Sequence, residues 1–109
     1  MHESASARIA LTTAGSADEA RKLAYALVEG RVAACVNLVP DVMSIYRWQG
    51  AIEEASEVLL VIKTTQRQLA AVEAMLRELH SYDVPELLAL DVEAGSQPYL
   101  DWLLGNVKG

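Results

Sequence analysis

Four side chains that can bind a metal ion fall within seven residues: His80, Tyr82, Asp83 and Glu86. A histidine nitrogen beside carboxylate oxygens suits borderline ions such as Cu(II) or Zn(II), because the acid offsets the charge of the ion. The same histidine could instead cap the end of the preceding helix, where it would interact favourably with the helix dipole. The stretch is therefore a candidate divalent-metal site, with copper as the first choice of ion and a structural role for the histidine as the alternative.

A second set of side chains, Lys63, Tyr46 and Trp48, combines a cation with two aromatic rings. Such a set can bind a small anion or an adenine-like ring in a cleft. The simpler interpretation is an interface in which Lys63 pairs with Glu86 or Asp83 and Trp48 is an aromatic anchor. Both interpretations place these residues at a boundary between subunits.

Composition and motifs exclude several classes of protein. The 15 acidic and nine basic residues leave a formal charge of −6, and no stripe of Lys and Arg is present, so we expect no nucleic-acid partner. Apolar residues occur in short periodic runs rather than in a stretch of about 20, so we expect no membrane partner. Nucleophile motifs and phosphate-binding loops are missing from the sequence. We therefore predict a protein that is not an enzyme and needs no obligatory cofactor, with a divalent ion such as copper as a possible ligand.

Cys35 is the only cysteine and cannot form an internal disulfide, which fits a reducing compartment. We interpret it as a small buried strand residue rather than a reactive thiol. Residues 1–7 lack the basic start and apolar block of a signal peptide. The sequence predicts a disordered tail at 1–7 and a single domain at 8–109, located in the cytoplasm.

Hydrophobic periodicity and turn residues predict a βαββαβ order followed by a short C-terminal helix. In chain order the predicted elements are a strand at 8–13, a helix capped by Ser16 or Asp18 and ended by a left-handed Gly30, strands at 32–49 and 51–65, a helix at 66–80, a strand at 86–92 and a helix at 98–104. Right-handed crossovers must place the first two helices on one face of the sheet. The fold class is therefore α+β, with a ferredoxin-like sandwich. The uniformly apolar stretch 87–90 is expected to be buried on both sides.

The two central strands form a hairpin longer than a small sheet needs, since about five or six residues per strand is usual. Pro40 cannot donate to a sheet ladder, so we expect a bulge or an exposed edge there. Tyr46, Trp48 and Ile52 lie near the far end, which would project beyond the domain unless another chain covers it. Such aromatic side chains predict an interface in a homo-oligomer. We interpret the charged residues of the hairpin as cross-strand pairs on a solvated face: Arg47, Glu53, Glu54 and Glu57.

Six blocks of sequence carry a family resemblance: Ala33–Pro40, Ser44–Gly50, Ile52–Glu54, Glu57–Thr65, His80–Glu86 and Tyr99–Trp102. In this order and spacing, over about residues 9–102, they resemble the CutA family, whose members are associated with divalent-cation tolerance. The resemblance implies a ferredoxin-like subunit that forms a homotrimer through its long hairpins and takes part in the response to metal ions. Some bacterial members have a copper-binding cysteine at the end of the first strand, where this chain has Thr12.

Two other functions are compatible with these observations. The CutA trimer is similar in build to the PII signalling proteins, so one alternative is a trimeric signalling protein that binds a small anionic metabolite between subunits. A shared fold does not by itself transfer that role. The other alternative is a stable scaffold with an indirect link to metals.

Overall fold

The structure is a computed structural model that describes residues 2–3, for their backbone alone, and residues 6–109. Its elements in chain order are β1 (His2–Glu3), β2 (Ala7–Ala14), α1 (Ala17–Glu29), β3 (Cys35–Trp48), β4 (Ala51–Thr65), a 3-10 turn (Gln66–Gln68), α2 (Leu69–Leu79), β5 (Leu88–Asp91), β6 (Ala94–Gly95) and α3 (Gln97–Gly105). The predicted order of the main strands and helices is present. None of the described helices is both long enough and apolar enough to cross a membrane.

The predicted disordered tail, residues 1–7, includes Met1, Ser4 and Ala5, which lie outside the described residues. Of the other tail positions, His2–Glu3 pairs with β6 and Ala7 begins β2. The main sheet therefore starts one residue earlier than the predicted strand at 8–13.

Four strands form one antiparallel sheet in the order β3-β4-β2-β5. Both α1 and α2 lie on one face of it, since their apolar residues share a buried cluster with alternate residues of β2 and β4. The largest apolar side chains in this cluster are Leu23, Leu27, Leu60, Ile62, Val72 and Leu76. Burying one such leucine contributes roughly 1.5–3 kcal/mol. This layer holds β2 and β4, which carry residues of the site, in a fixed position.

The opposite face of the sheet, called the outer face below, carries the alternate residues that point away from α1 and α2. By strand alternation these include Leu11 and Thr13 on β2 and Leu59 and Lys63 on β4. The short helix α3 covers a smaller apolar cluster around Ala7. Much of the outer face therefore has no helix over it.

The hairpin of β3 and β4 is long, with strands of 14 and 15 residues. Its register shifts between Val39 and Val42, where Asp41 has a left-handed φ of 59°, so the predicted bulge at Pro40 is confirmed. The turn residues Gln49 and Gly50 also have positive φ angles of 49° and 83°, as a tight two-residue hairpin turn requires. We call residues 42–57, beyond the bulge, the arm.

The end of α1 differs from the prediction, because Gly30 has a φ of −75° and Arg31 takes the left-handed conformation with a φ of 59°. The Val32 amide donates to the Leu27 carbonyl at 3.1 Å, which places the left-handed residue one position after the glycine. A Cβ at residue 30 would come within 3.1 Å of the Ala26 carbonyl oxygen. Glycine at this position allows a close approach of the backbone rather than a left-handed turn.

The prediction that residues 87–90 are buried on both sides is wrong, because Leu88 is 62% exposed and Leu90 is 51% exposed. Both lie on β5, which is an edge strand beside β2. They pair with Leu11 and Ile9 and so share the outer face. An uninterrupted apolar run does not distinguish a strand buried in one chain from an edge strand with one uncovered apolar face.

Candidate functional site

A cleft of about 380 Å³ lies between the arm and the loop at 80–86. Its lining residues are Thr13, Tyr46, Trp48, Glu53, Glu57, Tyr82, Asp83, Val84 and Glu86. The structure thus brings together five of the seven predicted site residues, namely Tyr82, Asp83, Glu86, Tyr46 and Trp48. The other two, His80 and Lys63, are not among the residues that line the cleft.

The bulge in β3 determines which arm residues face the cleft. Before it, Val39 lies opposite Leu59 on the outer face, and beyond it Val42 lies opposite Glu57. Three steps along β3 therefore match two steps along β4, so the outer face changes from odd to even residues of β3 at the bulge. This change places Ser44, Tyr46 and Trp48 on the same side as Glu57 and Glu53.

Glu57 is the central buried charge of the cleft, since the residue is only 9% exposed. Burial alone would raise the pKa of its carboxyl group. Hydrogen bonds from the hydroxyl groups of Ser44, Tyr82 and Thr13 outweigh burial and hold the pKa below its ordinary value of 4.5. The interpretation of Glu57 as part of a solvated charged face is wrong, and the carboxylate is instead preorganised in its ionised form.

His80 lies behind the cleft, with a side chain that is 0% exposed. The Tyr82 amide donates to His80 Nδ1 at 3.0 Å. The opposite nitrogen, Nε2, therefore carries the proton and donates to the Thr13 carbonyl oxygen at 2.6 Å. With both ring nitrogens in hydrogen bonds, His80 has no free nitrogen for a metal ion in this arrangement.

Thr13 and Tyr82, the two residues to which the His80 ring is hydrogen-bonded, both donate a hydroxyl hydrogen bond to Glu57. Tyr82 donates at 2.8 Å, and the Thr13 side chain is also a donor to the same carboxylate. The His80 and Tyr82 rings are 4.6 Å apart between centroids. His80 thus fixes the position of two of the groups that hold Glu57, so its role in this structure is positional.

Glu19 supports the loop from the other side. Its carboxylate accepts a hydrogen bond from the Ser81 amide at 2.8 Å and lies 3.7 Å from His80 Nδ1. Burial raises the pKa of the Glu19 carboxyl group, but hydrogen bonds from Ser81 and Gly15 lower the pKa by more than burial raises it, so the net shift is downward. The first turn of α1 is therefore tied to the start of the loop.

The Tyr82 hydroxyl is held in its neutral form. Burial and the neighbouring Glu57 carboxylate raise the pKa of Tyr82 from 10.0 to about 12. The hydroxyl group therefore remains a hydrogen-bond donor to Glu57 throughout the neutral range.

The charged residues that line the cleft are all acidic. Four of its lining residues are acidic and none is Lys or Arg. Lys63 lies opposite Cys35 and Ile9 in the sheet, and its ammonium group donates to the Asn37 side chain. The predicted anion-binding set therefore lacks its cation, which weakens the alternative of an anionic metabolite in this cleft.

A metal site within one chain is not preformed. Among the residues that the structure describes, no three His, Cys, Asp or Glu side chains converge closely enough to hold an ion. Thr12, at the position of the cysteine in some family members, is fully buried with its hydroxyl unpartnered within the described part of the chain. Cys35 lies on a strand, β3, as predicted, but it is only partly buried rather than buried.

Sequence reasoning missed Thr13, Ser44, Glu57 and Glu19 as site residues. The signal that could have found Ser44 and Glu57 is the bulge. A bulge adds one residue to β3, which shifts the alternation of its side chains by one position and puts Ser44 on the same side as Glu57. Thr13 and Glu19 reach the site through contacts with a loop more than 60 residues away. Sequence spacing holds no signal of that kind.

The sequence and fold have close relatives. A family model described as CutA1 divalent ion tolerance protein matches residues 8–106. The chain is 48% identical over 98 residues to the divalent-cation tolerance protein CutA of Thermus thermophilus, covering 90% of this chain and 95% of that protein. It is also 48% identical over 94 residues to human protein CutA, covering 86% of this chain but only 52% of the human protein.

Solved structures agree with this relationship. The crystal structure of CutA1 from Oryza sativa superimposes with a TM-score of 0.93 at 33% identity, over 96% of each chain. The divalent cation tolerance protein from Thermus thermophilus has a TM-score of 0.92 at 46% identity, over 94% of this chain and 99% of that one. The matching fold is α+β, with a four-stranded antiparallel sheet and three helices. By sequence and by fold, the chain belongs to the CutA1 family of divalent ion tolerance proteins.

Proposed function

We propose that the protein is a divalent-cation binding protein, without a catalytic centre of its own, that binds its ion in the cleft beside the arm. The observation that carries this proposal is the charge of the cleft, which has four carboxylates and neither Lys nor Arg among its lining residues. A cleft lined by one sign of charge concentrates ions of the opposite sign. The names of the family and of the Thermus relative, which refer to divalent ions, support the same class of ligand.

Oxygen atoms are the ligands that we propose. Glu53, Asp83 and Glu86 supply carboxylates at the cleft, and Glu57 adds a buried negative charge behind them. Such donors suit Mg²⁺, Mn²⁺ and Ca²⁺ better than they suit copper. Copper binding that used His80, as predicted from the sequence, would require the ring to give up one of its two hydrogen bonds.

The ion site that we propose is completed by assembly into a homotrimer. Among the described residues of one chain the ligands do not converge, so the ion would keep part of its water shell and take further oxygen atoms from a neighbouring subunit. The strand order β3-β4-β2-β5 supports the ferredoxin-like fold that the family resemblance implies.

Exposed apolar residues support the trimer. On the outer face these include Val39, Leu88 and Leu90, and on the arm they include Tyr46, Trp48 and Ile52. Clusters of exposed apolar side chains mark interaction surfaces more often than solvated ones. The interface that we propose therefore combines the arm with the outer face of a neighbour, in the cytoplasm.

Calorimetric titration of Mn²⁺, Mg²⁺, Zn²⁺ and Cu²⁺ into wild type, Glu53→Gln and Glu54→Gln tests the ion site. These adjacent residues have opposite orientations on β4, because Glu53 lies opposite Tyr46 and Glu54 opposite Ile45. Glu53→Gln should weaken binding by about tenfold, a loss of roughly 1.4 kcal/mol, and Glu54→Gln should leave it unchanged. Equal affinities in the three proteins would refute binding in the cleft.

Mass measurement tests the assembly separately. Sedimentation equilibrium should give three times the 11.8 kDa mass of one chain. An Ile52→Glu substitution should shift the protein toward smaller species, because it places a charge at the proposed interface without changing a residue that lines the cleft. A monomeric wild type would contradict the trimer and leave the cleft titration as an independent result.

A further inference from the structure

The cleft is larger and more apolar than a site for a single ion needs to be. Its volume of about 380 Å³ lies within the range of small-molecule sites. Beside the carboxylates, its walls contain Tyr46, Trp48, Tyr82 and Val84. An ion held by oxygen atoms makes no use of three aromatic rings and a valine.

Glu57 contributes a buried negative charge to the cleft. The residue is 9% exposed, and its hydrogen-bond donors are neutral hydroxyl groups. No Lys or Arg within residues 6–109 forms an ion pair with it. These donors keep the carboxylate ionised, so the inner wall of the cleft presents a fixed negative charge that attracts a positive group.

We propose that the cleft binds a small organic cation that carries an alkylated ammonium group. The faces of Trp48 and Tyr46 attract such a cation through their π electrons, and indole is the strongest of the aromatic side chains in this respect. Methyl groups on the nitrogen suit the apolar surface of Val84, while the positive charge compensates Glu57. An alkylated ammonium is also weakly hydrated, so entering an aromatic cleft costs it less than it costs a metal ion.

This inference uses the cleft of the proposed function but does not depend on metal binding. Charge attracts both kinds of cation, whereas the aromatic walls favour the organic one alone. Trp48→Leu, which keeps an apolar side chain at the proposed subunit interface, should therefore weaken binding of the organic cation and leave binding of a divalent ion unchanged.

The first experiment compares two ligands on the wild-type protein. Choline is titrated by calorimetry beside its neutral isostere, in which a tert-butyl group replaces the trimethylammonium group. Choline should bind at least about tenfold more tightly, because the neutral compound gains neither the π interaction nor the attraction to Glu57. Equal binding of the two, or no binding of choline at millimolar concentration, would overturn the proposal.

Variants then locate the site. Trp48→Leu and Glu57→Gln should each weaken choline binding by about tenfold. Trp102→Leu is the matched control, since Trp102 is the other tryptophan of the chain and lies half-exposed on α3, outside the cleft. In the Trp102→Leu protein, Trp48 is the only tryptophan, so choline should change its fluorescence and the neutral isostere should not. Choline binding that is insensitive to both cleft substitutions would show that this site is elsewhere and overturn the proposal.

A parallel Mn²⁺ titration separates this inference from the proposed function. Mn²⁺ binding that depends on Glu53, without choline binding, would refute the organic-cation proposal alone. Choline binding that depends on Trp48, without binding of any divalent ion, would support it and refute the proposed function.

Discussion

The Tyr82 hydroxyl donates a hydrogen bond to the Glu57 carboxylate at 2.8 Å, and this contact joins the loop at 80–86 to the base of the arm. The loop side of the contact is fixed by His80, which accepts from the Tyr82 amide and donates to the Thr13 carbonyl oxygen. The cleft therefore keeps its shape through a small network of buried and partly buried polar groups, each of which has a partner from a different element.

Removing the Tyr82 hydroxyl should lower stability at neutral pH and make the acid side of the stability curve flatter. Tyr82→Phe deletes one donor to Glu57 and should cost about 1 kcal/mol at neutral pH, measured by urea unfolding. Glu57 has a lowered pKa in the folded state, so its contribution is present above the unfolded value near 4.5 and is lost as pH falls through the folded value. The variant should lose less stability on acidification than wild type does.

The matched control for this substitution is Tyr25→Phe, because Tyr25 is 63% exposed on α1. An equal loss of stability in the two variants would show that the Tyr82 hydroxyl has no special partner.

The ionisation of Tyr82 itself should be measurable at alkaline pH. The folded pKa of Tyr82 is raised to about 12, so its stabilising contribution is complete below 10.0 and is lost as pH rises through about 12. Ultraviolet titration of wild type minus Tyr82→Phe should show one phenol that ionises near 12. A difference curve centred on 10 would contradict the buried contact with Glu57.

Two buried threonines should respond in opposite directions to the same substitution. Thr12 and Thr64 are both 0% exposed, but the Thr12 hydroxyl has no partner within the described residues whereas Thr64 donates to the Val32 carbonyl oxygen at 2.6 Å. Thr12→Val should be neutral or stabilising by about 1 kcal/mol, and Thr64→Val should destabilise by about 1–3 kcal/mol. Chemical denaturation of the two variants checks this, and similar values for both would show that the Thr12 hydroxyl is satisfied in solution.

His80→Ala should act on the site through Tyr82. The substitution removes the partner of the Tyr82 amide and of the Thr13 carbonyl oxygen, and it should destabilise the protein by about 2–4 kcal/mol. Because Tyr82 then loses its fixed position, its pKa should fall toward 10.0 in the same ultraviolet titration. A histidine that acted only as a metal ligand would leave the Tyr82 pKa unchanged in metal-free protein, so an unshifted value would contradict the positional role.

Much of the fold could be predicted from local pattern. The periodicity of α1 and α2, the N-cap at Ser16 and the bulge at Pro40 are local features, and the structure confirms each of them. Burial of Leu88 and Leu90 could not be read in the same way, because an apolar edge strand has the composition of a central strand. The predicted position of the left-handed residue after α1 was wrong by one residue. Gly30 allows a close approach of the backbone, and Arg31 takes the left-handed conformation.

The site was predicted less completely for a physical reason. Tyr82, Asp83 and Glu86 are near neighbours in sequence and could be grouped by spacing. His80 belongs to the same run, yet its orientation is decided by the Thr13 carbonyl, 67 residues away in sequence. Glu57 resembled a solvated charge because its burial depends on the loop that folds over it.

The bulge at residues 40–41 also determines the direction in which the arm projects from the sheet. Two residues of β3 there face a single position of β4, so a chain that lacked Asp41 would retain every pair from Val42 and Glu57 outward. Such a deletion should straighten the strand and point the same arm in a new direction, and proton contacts between residues 42 and 57 in NMR spectra would reveal the retained pairing. A single-residue change of length at this joint should thus re-orient one wall of the cleft without altering the side chains that the wall presents.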